Sequence, residues 1–77
     1  MTQFLIVYDQ LAGQVLDLRE FADAERSRAL EARFELERLY LDEEQIEVVV
    51  LGADSRADLE QTHGRYFKTV AQLADEP

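Results

Sequence analysis

His63 is the only histidine in this chain and cysteine is absent, so any nucleophilic triad would have to be built on His63 alone. No Gly-x-Ser-x-Gly turn accompanies it to expose a serine. His63 also falls on the apolar stripe of a helical pattern, where a packed residue is the expected role. Glu60-x-x-His63 copies half of the carboxylate–histidine motif of metal-binding helix bundles. The missing glutamates come from other helices in such bundles, so only a homodimer could complete it. Asp9, Asp54 and the glutamates of the long helical pattern suggest a carboxylate cluster for two-metal phosphodiester chemistry. A hairpin followed by a crossover, however, runs the first and third strands antiparallel and sends Asp9 and Asp54 to opposite ends of the sheet.

Two anion-binding arrangements fare no better. Gly52-x-Asp54-Ser55 stands between a strand pattern and a helix pattern, the position at which nucleotide folds hold phosphate on free amides. It has a single glycine and no lysine follows, while Asp54 would repel a phosphate; helix capping is the expected role. Arg26 and Arg33 lie on one helix side, but Arg33 and Glu37 stand at i,i+4, the spacing of a solvated ion pair. The sequence therefore predicts no catalytic, cofactor-binding or metal-binding residue.

Composition narrows the remaining classes. Seventeen Asp and Glu against eight Lys and Arg leave a net charge of −9 over 77 residues. That balance disfavours direct contact with nucleic acid or an anionic membrane surface. Apolar runs are far shorter than the ~20 residues of a membrane span, and Met1-Thr-Gln has no basic start of a signal peptide, so a soluble cytoplasmic protein is expected. Asparagine is absent and Arg outnumbers Lys seven to one, the bias of GC-rich coding DNA and of a bacterial source.

The elements follow from periodicity. Phe4–Tyr8 is apolar on both faces, as suits a central strand. Asp9–Gly13 predicts a tight turn with Gly13 at positive φ, and Gln14–Phe21, charged on both faces, predicts an edge strand. Asp23 is the expected N-cap of a helix reaching about Leu41, ended by the acidic connector Asp42-Glu-Glu. Ile46–Leu51 predicts the third strand, and Ser55-x-x-Asp58 a capping box opening a last helix with Leu59, His63, Tyr66, Val70 and Leu73 on one stripe. Gly64 interrupts that stripe and marks a kink or a close contact. The expected fold is a single α+β domain over 1–77, ββαβα, with a three-stranded mixed sheet of order 2-1-3, two helices and a frayed tail at about 74–77. Phe4, Ile6, Tyr8, Leu16, Leu18, Ile46, Val48 and Val50 are expected to face the first helix. In order of elements this partly resembles truncated ribonuclease-H-like domains, some small antitoxins among them, a likeness of architecture with no shared motif.

Leu, Ile, Val, Phe and Tyr make up a third of so small a chain, more than one core needs. Two surfaces compete for the surplus: the second sheet face, with Leu5, Val7, Val49 and Leu51, and a second stripe on the first helix, with Leu30, Phe34 and Leu41. One helix cannot cover both, so the uncovered surface is expected to meet its own copy. The expected function is a small acidic interaction or adaptor module that forms a homodimer and has no catalytic activity of its own. An acidic, antitoxin-like inhibitor of a basic partner is the alternative, and an enzyme acting on a small metabolite between protomers is the third.

Overall fold

The computed structural model describes residues 1–67; the expected fraying at 74–77 and the stripe positions Val70 and Leu73 lie outside them. β1 (Thr2–Asp9) is buried continuously from Gln3 to Tyr8. A strand with no polar face has to be covered above, below and on both flanks. It pairs with β2 (Gln14–Phe21) on one flank and with β3 (Ile46–Ala53) on the other, giving the order β2-β1-β3. The turn is held by Asp9, whose carboxylate accepts from the Leu11 and Ala12 N–H groups, each at 3.0 Å. Gly13, at φ 67°, closes it by donating to the Asp9 carbonyl at 2.8 Å.

The sheet is antiparallel, which corrects the expected mixed sheet. β2 and β3 do run in the same direction, but β1 lies between them and is antiparallel to both, so no parallel pair forms.

Register decides which side chains meet which helix. Leu5 stands opposite Val50 and Val7 opposite Val48, so these four share a face; Phe4 and Ile6 share the other with Leu51 and Val49. α1 (Arg26–Leu39) covers the first face through Ala32, Leu36 and Tyr40. α2 (Arg56–Thr62) and the 3₁₀ turn Gly64–Tyr66 cover the second through Leu59 and Tyr66. Ile46, Val48 and Val50 meet α1 as expected. Phe4, Ile6, Tyr8 and Leu18 do not: they pack in the α2 cluster. Side chains alternate along a strand, so a pairing displaced by one residue moves a whole strand's set to the other face. Leu16 falls where the β1–β2 register shifts, Val7 facing Asp17 and Tyr8 facing Val15, and it stays exposed rather than meeting α1.

Helix ends depart from expectation in instructive ways. A 3₁₀ turn, Asp23–Glu25, precedes α1, and its N-cap Ala22 makes no side-chain cap bond. The Asp23 carboxylate accepts instead from Nε2 of Gln3, a polar residue buried in β1, at 3.0 Å. An unpartnered buried amide costs more than a missing cap, which explains the diversion. α1 stops at Leu39, and the acidic residues that follow take turns rather than more helix. Ser55 caps α2 by accepting the Asp58 N–H at 3.1 Å. The expected stripe through His63 breaks, because α2 ends at Thr62, His63 is its C-cap, and Gly64 begins the 3₁₀ turn. That turn returns Tyr66 to the sheet. Its ring meets Tyr8 edge-on, centroids 5.0 Å apart at 89°, and its hydroxyl donates to Glu47 at 3.3 Å. No helix among the described residues is long and apolar enough to cross a membrane.

Candidate interaction surface

Among the described residues, three large apolar side chains that stay exposed, Phe34, Leu39 and Leu41, belong to α1 or to the turn just past its end. Phe34 lies on α1 and Leu41 in the turn just past its end, and the two side chains meet on one side. Phe34 is 60% exposed and Leu41 is 77% exposed. They line an open, mainly apolar groove of about 370 Å³ together with Glu37 and Arg38. Leu30, one turn before Phe34, is half-buried on the same stripe. Nothing in α1 itself requires large apolar residues here, since Ala29, Ala32 and Leu36 already supply the sheet-facing contact.

The sheet half of the expected surface is taken up by the fold. Leu5 and Val7 are buried beneath α1, and Val49 and Leu51 are half-buried against the α2 cluster. Of the seven residues expected to mark an interface, Phe34 and Leu41 are the two that present an open apolar surface. Leu39 is 71% exposed as well, since α1 ends there and Tyr40 takes over the sheet contact.

Charge gives the groove its polarity. Arg33 Nε donates to Glu37 at 2.6 Å, the i,i+4 pair expected from spacing. Arg38, a groove residue that periodicity did not single out, has no carboxylate within ion-pair distance among the described residues. Its place in the last turn of α1 favours a cation against the helix C-terminus. The acidic run Asp42–Glu44 follows directly, exposed on a turn.

The residues weighed for chemistry are engaged separately. Asp9 holds the hairpin and lies beside Ile46, at the opposite end of β3 from Asp54. Glu60 pairs with Arg56 at 3.5 Å, and half-buried His63 donates its backbone N–H to Leu59 at 2.8 Å. No three His, Asp or Glu side chains converge among the described residues. The groove is suited to holding an apolar side chain between an acid and a base. Compared with known protein families, curated proteins and solved structures, the chain matches none.

Proposed function

We propose that this chain is a small acidic interaction module that self-associates through the outer face of α1. The observation that carries it is the order of the groove residues: Phe34, Glu37, Arg38, Leu41 read apolar, acid, base, apolar. A second copy laid antiparallel, with the two-fold axis between Glu37 and Arg38, brings its Leu41 onto Phe34 and its Arg38 onto Glu37. The face is thus self-complementary in both size and sign, the property that an isologous dimer requires.

Salt decides between this reading and attraction to a basic body. Two ions of charge −9 whose centres are roughly 20 Å apart repel by about 17 kcal/mol in pure water and by only about 2 kcal/mol at 0.1 M salt. Exposed ion pairs across the groove return about 0.5 kcal/mol each. Repulsion dominates, so self-association should strengthen as salt is added. Sedimentation equilibrium from micromolar to millimolar protein, at low and moderate salt, tests this. The expected result is a species of twice 8.9 kDa whose population rises with salt. A monomer under every condition would remove the proposal.

A further inference from the structure

The two edges of the sheet are treated differently. β2 breaks its register against β1, and it carries an Asp17–Arg19 pair and Glu20. Bulges and charges of this kind keep a strand edge from recruiting another strand. β3 has no such protection. Its eight residues pair with β1 without a register shift, and its sequence, Ile-Glu-Val-Val-Val-Leu-Gly-Ala, holds one charge and neither proline nor lysine. Among the described residues its far edge has no strand beside it.

The chain on either side of β3 in sequence is of one sign. From Leu39 to Ser55 the chain has no lysine or arginine, but Asp42, Glu43 and Glu44 precede β3, Glu47 lies within it and Asp54 follows it. A second copy of β3, paired antiparallel about Val49, would set Glu44 against Asp54 at both ends. Like charges directly opposite each other disfavour pairing. A strand with basic ends meets carboxylates at both ends in either direction.

We propose that the outer edge of β3 accepts, by strand addition, an extended segment of a partner protein with alternating apolar residues and lysine or arginine at its ends. The site is separate from the α1 groove and does not depend on it. Its outward backbone groups supply the pairing, and the acidic flanks supply the choice of partner.

The test titrates the isotope-labelled full chain with a peptide of alternating valine and threonine carrying lysines at both ends, and with its glutamate-ended counterpart. The expected result is amide shifts concentrated in β3, with the lysine-ended peptide bound about tenfold tighter or more at low salt and the margin shrinking as salt rises. The exposed pair of substitutions Glu43→Lys and Glu44→Lys should narrow or reverse that preference without touching the strand. Phe34→Glu should leave it unchanged, which separates this site from the self-association face. Equal binding of the two peptides, shifts centred on α1 or β2, no binding at all, or β3 shifts that follow protein concentration without peptide would each overturn the proposal.

Discussion

Replacing Phe34 by glutamate should separate association from folding. The ring is 60% exposed in the single chain and belongs to neither core cluster. Burying that remaining fraction in a dimer is worth roughly 1.5 kcal/mol per copy, and therefore about 3 kcal/mol for the pair. Losing it weakens the dimer on the order of 100-fold. The added carboxylates, which deepen the repulsion between copies, push further in the same direction. The folded chain loses almost nothing, and its unfolding free energy should stay within about 0.5 kcal/mol. Sedimentation equilibrium reads the first quantity, and urea denaturation followed by circular dichroism at dilute protein reads the second. A charge exchange sharpens the experiment: Arg38→Glu alone should weaken association, and Glu37→Arg added to it should restore much of the loss, because the two positions meet across the axis. Association of Phe34→Glu equal to that of the unmodified chain, or a fall in its stability, would refute the assignment of this face.

Three further substitutions probe the fold that carries both surfaces. Leu59→Ala removes a fully buried side chain from the α2 cluster and should cost about 2–5 kcal/mol in urea unfolding, leaving the α1 groove intact in any folded population. Gly13→Ala forces a side chain onto φ 67° and should cost about 1 kcal/mol, seen as a lower urea midpoint with an unchanged m-value. Asp23→Ala leaves the buried Gln3 amide without its acceptor and should cost about 1–3 kcal/mol; in a thermal melt, Asp23→Asn should recover part of that, since its amide oxygen still accepts.

Strand positions and their order were legible because they rest on composition alone. Only Phe4–Tyr8 is apolar at every position, and only a central strand is buried on both faces and both flanks. Register was not legible. Val48, Val49 and Val50 are consecutive and apolar, so they carry no alternation from which to read a face. Assigning Phe4 rather than Leu5 to Val50's side is a slip of one residue, and it is enough to misplace Phe4, Ile6 and Tyr8. The same slip made Leu5 and Val7 look available for an interface when α1 in fact covers them. The helix half of the expected surface, Leu30, Phe34 and Leu41, was read from a period that does not depend on sheet register, and of these Phe34 and Leu41 are exposed. Asp23 has the right residue type for a cap, and its engagement by Gln3 is a contact between residues 20 apart that no local pattern announces.

The central position of β1 also shapes the path by which the chain reaches its fold. Its partners in β2 are near in sequence, Asp9 facing Gln14 and Gln3 facing Phe21. Its partners in β3 are far, Asp9 facing Ile46 and Thr2 facing Ala53. Closing short loops is fast and closing long ones is slow, so the hairpin should form early and β3 dock late. On a ribosome adding roughly 5–20 residues each second, the hairpin waits for seconds while α1 and β3 are made. Throughout that interval the most apolar strand in the chain has one bare flank. α1, whose Ala32 and Leu36 rest against Leu5 and Val7, is the first element able to cover one of its faces, but it cannot satisfy that flank's amides and carbonyls. Destabilising β3 or its turn should therefore reveal itself first as inclusion bodies during synthesis and only afterwards as a lower melting temperature of the purified protein.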